Sequence, residues 1–174
     1  QRVVLVRHNS YLFKGTVEEN LKMAKPDATK EEMEAVLQKV NLLGFLQTQD
    51  GLQTQLLEKA SNLSGGQCQR LVIARALLRT DSAVYIFDEA ASNIDVESEE
   101  LIMNVIHELA KTKTVLLISH RLANVVKSDK IYFLKDGEIK ESGKHDELMS
   151  QNGAYRHLYE SQMALENYGK GGVA

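Results

Sequence analysis

The feature that most constrains this chain is a pair of adjacent glycines just before an apolar, helix-forming run. Residues 63–67 read Leu-Ser-Gly-Gly-Gln, and we call them the glycine turn; residues 71–78 are mostly apolar. A helix that begins here carries unpaired N–H groups and partial positive charge at its start, where glycine lets an oxygen approach the main chain. Ser64 suits the N-cap and can also donate to phosphate. The turn therefore indicates a phosphate-binding helix N-terminus, although Ser-Gly-Gly taken alone is more often a simple turn and cap.

An acidic pair follows the next apolar run. Residues 83–87 are typical of a strand buried on both faces, and Asp88 and Glu89 stand at its carboxyl end. Open α/β sheets bind their ligands at that end of the strands. One carboxylate there can hold Mg²⁺ through water while the other orients or deprotonates an attacking water. The same pair is also common as an ordinary loop cap.

A third apolar run, residues 115–119, predicts another buried strand and is followed by His120. A single histidine after a strand is often only structural. The order and spacing of the segments favour a functional interpretation, because four motifs in series are far more specific than any one.

Together these segments resemble the motifs of ATP-binding cassette (ABC) ATPases, from about residue 3 to residue 148. The glycine turn is similar to the signature motif of that family. The resemblance implies that ATP is held between two such domains, and that the turn contacts the nucleotide of the opposite subunit through Ser64, Gly65, Gly66 and Gln67.

The resemblance also assigns roles nearer the reaction. Residues 83–89 are similar to the Walker B segment, which implies that Asp88 holds Mg²⁺ and that Glu89 is the catalytic base. His120 resembles the switch histidine, which contacts the γ-phosphate and holds the attacking water in line. Residues 92–95 read Ser-Asn-Ile-Asp and resemble the D-loop, in which Asp95 serves the nucleotide interface.

The start of the chain is similar to exporter-type cassettes. Residues 3–6 predict a strand, and residues 7–13 resemble the Q-loop, with His8 where the family has glutamine. A neutral imidazole is a poorer Mg²⁺ ligand than an amide oxygen. His8 is nevertheless the candidate cofactor-binding residue of this loop, which links nucleotide state to the membrane partner. Residues 13–17 continue the exporter resemblance.

One element of the family is absent from the sequence. The 174 residues contain no Gly-x-x-x-x-Gly-Lys-Ser/Thr phosphate loop, whose amides and lysine cradle the β- and γ-phosphates. We therefore expect an N-terminally truncated cassette that by itself neither binds ATP well nor hydrolyses it.

The predicted fold is α/β: a P-loop NTPase core of the ABC ATPase type, with a mainly parallel sheet and a small helical subdomain. Residues 1–174 form this partial nucleotide-binding domain, and the helical subdomain spans about residues 20–80. A capping box at Thr29–Glu32 predicts one of its helices. Asp136-Gly137 between two β-like runs predicts a hairpin, and we expect the tail, residues 166–174, to be disordered.

Net charge, cysteine content and the lengths of the apolar runs limit the kinds of partner that this chain can bind. A net charge of −3 gives no electrostatic basis for binding nucleic acid. Cys68 is the single cysteine, which suits a reducing compartment. No apolar run is long enough to cross a membrane. We therefore expect a transmembrane domain as partner, together with a second ABC ATPase domain, and a location on the cytoplasmic face of the cell membrane.

The predicted function is that of an ATP-binding and ATP-hydrolysing domain, with ATP and Mg²⁺ as cofactors, which powers an ABC exporter by ATP-driven dimerisation. Two alternatives remain open. A catalytically degenerate, regulatory cassette of a heterodimeric transporter is favoured by His8 and opposed by Glu89. A soluble ABC ATPase of DNA repair or translation is opposed by residues 13–17 and by the lack of coiled-coil heptads.

Overall fold

Three parallel strands form the centre of the first part of the chain. The computed structural model describes residues 3–171, which divide into two compact units with a boundary after Ile118. In chain order, the first unit contains β1 (Val3–Arg7), β2 (Gly15–Thr16), α1 (Val17–Lys22), α2 (Lys30–Lys39), α3 (Leu43–Gln47), β3 (Gln55–Leu56), α4 (Gly65–Leu77), β4 (Val84–Asp88), α5 (Val96–Ala110) and β5 (Thr114–Ile118).

The parallel sheet has the strand order β1-β4-β5. Its register pairs Arg7 with Asp88 and Asp88 with Ile118, so the three carboxyl ends lie at one edge. The three strands predicted from apolar runs are confirmed, but the burial on both faces predicted for residues 115–119 is wrong, since β5 alternates between exposed and half-buried residues. Tyr85 and Phe87 are buried on one face of the sheet, whereas Leu5 is 48% and Leu116 49% exposed on the other.

The helices of the first unit begin at caps that the sequence encodes. Thr29 and Glu32 form the predicted capping box of α2. Helix α4 packs against β1, α2 and α5, which ties the glycine turn to the sheet. The range predicted as a helical subdomain also contains β3, which pairs antiparallel with β2, and it belongs to the same compact unit as the sheet.

The second unit is a hairpin followed by two helices. It contains a 3₁₀ turn (Leu122–Val125), β6 (Ile131–Lys135), β7 (Glu138–Gly143), α6 (His145–Ser150) and α7 (Ala154–Gly171). Strands β6 and β7 pair antiparallel. Asp136 and Gly137, with φ of +54° and +77°, form the predicted turn, because both central positions of such a turn need positive φ.

The last helix extends into the region predicted to be disordered. Helix α7 runs to Gly171, and Glu166 anchors this part of it through an ion pair with Arg121. The remainder of the predicted tail, residues 172–174, lies outside the described residues. In the described part of the chain, every helix is too short or too polar to span a bilayer.

Candidate functional site

The glycine turn forms the N-terminus of α4. Ser64 is the N-cap: its Oγ accepts from the N–H of Gln67 at 3.1 Å, and Gln67 Oε1 accepts from the N–H of Ser64 at 2.9 Å. This reciprocal pair is a capping box. Within residues 3–171, no side chain accepts a hydrogen bond from the amides of Gly65 or Gly66. The first turn of the helix thus keeps two donors for a ligand.

The two glycines differ in their surroundings. A Cβ on Gly66 would lie 2.2 Å from Ser98 Oγ and 2.7 Å from Asp95 Oδ2, whereas a Cβ on Gly65 would meet nothing closer than Ile94 Cγ2 at 4.0 Å. Gly66 is therefore required by the close approach of α4 to the start of α5. The sequence analysis predicted that both glycines admit phosphate, but only Gly65 has open space where a Cβ would lie.

Asp95 caps α5 beside the glycine turn. Its Oδ1 accepts from the backbone N–H of Ser98 at 2.8 Å. Hydrogen bonds from Ser98, first from the backbone and then from the side chain, lower the pKa of the Asp95 carboxyl, because they favour the charged form. The structure thus brings together two predicted segments, the glycine turn and the end of residues 92–95.

Asp88 and Glu89 lie at the carboxyl end of β4, as predicted. Glu89 has a φ of +51°, a left-handed conformation that costs a residue with a Cβ about 1 kcal/mol or more. The surrounding backbone holds it there: Glu89 N–H donates to the Ile118 carbonyl at 3.0 Å, and the Glu89 carbonyl accepts from Ser92 N–H at 3.0 Å. Ser92 Oγ also donates to that carbonyl at 2.9 Å. A strained conformation fixed in this way sets the direction in which the carboxylate leaves the sheet.

His8 lies next to Asp88. The His8 N–H donates to the Asp88 carbonyl at 3.2 Å, which extends the β1–β4 ladder by one residue. Arg7 Nε lies 3.9 Å from Asp88 Oδ2, with the two side chains 58% and 40% exposed. An exposed pair at that distance is weak. The structure therefore gathers His8, Asp88 and Glu89 at one edge of the sheet, with Arg7 as a cationic neighbour that the sequence did not reveal.

Two polar side chains of α4, also not identified from the sequence, contact the segment that carries His8. Buried Gln69 donates from Nε2 to the carbonyl of Arg7 at 3.2 Å. Arg75 donates from Nη2 to the carbonyl of Tyr11 at 2.9 Å, and burial lowers the pKa of its guanidinium. For Gln69, the sequence feature that could have identified this contact is a polar residue at a buried position of an amphipathic helix.

His120 belongs to the second unit, two residues after the end of β5. Its carbonyl accepts from Gln162 Nε2 at 2.8 Å, and Gln162 Oε1 accepts from the Leu122 N–H at 2.9 Å. Gln162 is 42 residues away in the chain, and nothing in the sequence of the last helix marks it as a contact of His120.

Asp88 is the candidate ligand for a Mg²⁺ ion at this edge. Among the described residues, no three His, Cys, Asp or Glu side chains cluster closely enough to hold a metal ion by themselves. Mg²⁺ usually keeps several waters and binds through one or two carboxylates plus substrate phosphates. Asp88, whose side chain is 40% exposed at the open edge, fits this mode of binding.

The comparisons with known proteins agree with one another on the family that this chain resembles. The family model described as ABC transporter matches residues 1–92. An uncharacterized ABC transporter ATP-binding protein of Haemophilus influenzae is 53% identical over 166 residues, covering 95% of this chain and 30% of the relative. An ATP-dependent lipid A-core flippase of Vibrio vulnificus is 42% identical, covering 91% of this chain and 27% of that protein.

Two further matches agree with these. A putative multidrug export ATP-binding/permease protein of Staphylococcus aureus is 40% identical, covering 92% of this chain and 28% of that protein. A solved structure of a bacterial Atm1-family ABC exporter with ATP bound superposes with a TM-score of 0.84 at 30% identity, covering 92% of this chain and 28% of that one. The chain thus spans 27–30% of the length of the curated relatives described above.

Proposed function

Because this chain belongs to the ABC transporter family, we propose that it is part of the ATP-binding and ATP-hydrolysing domain of an exporter. The observation that carries the proposal is the arrangement at the carboxyl edge of the sheet. There Glu89 is held in a strained backbone conformation beside Asp88 and His8. The names of the relatives agree with it, since one is a flippase, one a putative multidrug export protein and one an exporter with ATP bound.

In this proposal Glu89, His120 and Asp88 each have one task in ATP hydrolysis. Water attacks the γ-phosphorus and the bond to the β,γ-bridging oxygen breaks. Glu89 orients the water and accepts its proton, while His120 contacts the γ-phosphate. Asp88 would hold Mg²⁺, which neutralises charge that develops on the phosphate oxygens. These contributions are positioning and electrostatic stabilisation, with no covalent enzyme intermediate.

The glycine turn is proposed to serve the ATP bound by a second ABC ATPase domain. Ser64 and Gln67 satisfy each other in the capping box, which leaves the amides of Gly65 and Gly66 for a phosphate. ATP then joins two domains, each of which supplies a different side of the site. Because the closed dimer binds ATP better than the open one, binding and hydrolysis can move attached membrane domains. The site would face the cytoplasm.

The 174-residue chain on its own is expected to be inactive. Its sequence has no phosphate loop with the lysine that contacts the β- and γ-phosphates. Titration of the isolated chain with Mg-ATP should therefore reveal no tight binding, and micromolar affinity would contradict this expectation.

A second candidate is a regulatory cassette that binds ATP without turnover, and it is His8 in place of glutamine that favours it. Under that alternative the intact protein would bind Mg-ATP but release no phosphate unless a second, different cassette were present. A measurable turnover by the purified full-length protein alone would exclude it.

The decisive experiment compares ATP turnover of the full-length protein with that of Glu89→Gln and of Glu97→Gln. Glu97 is an exposed glutamate in the first turn of α5 and serves as the matched control. Loss of a general base lowers turnover about 100-fold or more, whereas Glu97→Gln should retain the full rate. Equal rates for Glu89→Gln and the unmodified protein would remove Glu89 from the catalytic role.

A further inference from the structure

One face of α7 carries two side chains that contact the segment around His120. Gln162 and Glu166 are four residues apart, so they project from the same side of the helix. The Gln162 amide donates to the His120 carbonyl at 2.8 Å and accepts from the Leu122 N–H at 2.9 Å. A single side chain therefore holds the backbone on both sides of Arg121.

Glu166 holds the residue in between. Its Oε1 accepts from Arg121 Nε at 2.9 Å and lies 2.8 Å from Arg121 Nη2. The two side chains are 40% and 30% exposed, so water screens the pair only in part. Hydrogen bonds between ionised groups are stronger and more directional than neutral ones. Gln162 and Glu166 thus contact three consecutive residues, and we call this pair the α7 latch.

The turn itself is tight. Ser119 Oγ accepts from the Arg121 N–H at 3.0 Å and donates to the Arg121 carbonyl at 3.1 Å. These local bonds shape the turn, but they leave the His120 carbonyl and the Leu122 amide to Gln162. The latch therefore fixes the backbone from which the His120 imidazole projects.

We propose that Gln162 and Glu166 are positioning residues, which hold His120 in the orientation needed to contact the γ-phosphate. The inference rests on the proposed function, because it concerns the same histidine. Neither latch residue contacts nucleotide in this scheme. They act through the backbone, since a side chain attached to a fixed peptide samples fewer positions before the reaction.

Substitutions at Gln162 separate its two hydrogen bonds. Gln162→Leu keeps a similar bulk but removes both the donor and the acceptor. Gln162→Glu keeps an acceptor for the Leu122 N–H but has no donor for the His120 carbonyl. Positioning through these bonds therefore predicts a graded effect, with Glu intermediate between Gln and Leu.

The activity test uses the full-length protein and steady-state ATP turnover. Gln162→Leu should lower kcat about tenfold with KM for ATP changed less than about twofold, since each bond contributes modestly. Gln162→Glu and Glu166→Gln should have smaller losses of kcat.

The control is Glu160→Gln, which removes a similar ion pair with Arg156 (2.7 Å) on the same helix, and it should leave kcat unchanged. An equal loss in the control, or a full kcat in Gln162→Leu, would overturn the positioning role.

A structural test is independent of hydrolysis. Hydrogen exchange at the Leu122 amide should accelerate about tenfold in Gln162→Leu and stay unchanged in Glu160→Gln, because only the former removes its acceptor. Unchanged exchange in Gln162→Leu would show that the latch does not form. Full ATP turnover by His120→Ala would overturn the proposed catalytic role of His120. Faster hydrogen exchange at the Leu122 amide together with full kcat in Gln162→Leu would overturn the positioning role alone.

Discussion

Gln69, buried in the middle of α4, donates a hydrogen bond from Nε2 to the backbone carbonyl of Arg7 at 3.2 Å. The bond joins the helix that carries the glycine turn to the end of β1. Arg7 is followed by His8, whose N–H donates to the Asp88 carbonyl. A side chain of α4 thus supports the backbone beside the candidate magnesium ligand.

This bond should contribute measurably to stability. Gln69→Leu keeps a similar side-chain volume but removes the donor, so we expect a loss of about 1 kcal/mol in the free energy of unfolding. The loss is limited because the Arg7 carbonyl still accepts from the Ser10 N–H at 3.2 Å. Urea unfolding of the variant and of Gln38→Leu, a control at an exposed glutamine of α2, measures it. A loss in the control as large as in Gln69→Leu would contradict the assignment.

The two glycines of the glycine turn should respond differently to alanine. Gly66→Ala places a Cβ 2.2 Å from Ser98 Oγ and 2.7 Å from Ser98 Cβ, so α4 and α5 must separate, at a cost of about 1–3 kcal/mol. Gly65→Ala has room and should leave the free energy of unfolding nearly unchanged. In the full-length protein, however, Gly65→Ala should weaken ATP-dependent dimerisation by blocking the approach of phosphate. Thermal unfolding and dimerisation assays on both variants test this, and equal destabilisation would refute the distinction.

Much of the fold follows from local patterns in the sequence. Strands of a parallel sheet are commonly continuous apolar runs, which is why residues 83–87 and 115–119 were recognisable as strands, although one face of this sheet is exposed at Leu5 and Leu116. Ser64 and Thr29 stand three residues before a Gln or Glu, which identifies two capping boxes. These patterns are local in the sequence, so they can be recognised without knowledge of the tertiary structure.

The parts of the site that could not be predicted depend on distant contacts. Gln69 and Arg7 are 62 residues apart, and no local pattern pairs them. The left-handed backbone of Glu89 is imposed by the Ile118 carbonyl and Ser92, since glutamate itself disfavours it. The packing role of Gly66 likewise depends on where α5 begins.

Asp95 should make the stability of the chain depend on acidic pH. Its pKa in the folded state is lowered by the hydrogen bonds from Ser98. The stabilisation is therefore complete above the unfolded-state pKa of about 3.9 and is lost as the pH falls through the lower folded-state value. Asp95→Asn keeps an N-cap acceptor but does not titrate. The difference in unfolding free energy between the two proteins should shrink below about pH 4, and a constant difference from neutral to acidic pH would contradict the prediction.

The turn between β6 and β7 should depend on glycine at one position. Gly137 has a φ of +77°, where a Cβ costs about 1 kcal/mol or more, although nothing within 4 Å would contact that Cβ. Gly137→Ala should therefore lower the free energy of unfolding through backbone strain alone.

Gly44, which lies inside α3 with equally open surroundings and no positive φ, is the matched control. Gly44→Ala should raise stability by about 0.5–1 kcal/mol, because alanine has less conformational freedom to lose in a helix. Urea unfolding of both variants measures the two changes in free energy of unfolding. Changes of opposite sign would show that the backbone φ, and not the space around the Cβ, decides the effect of alanine. A loss of the same size at both positions would contradict the prediction.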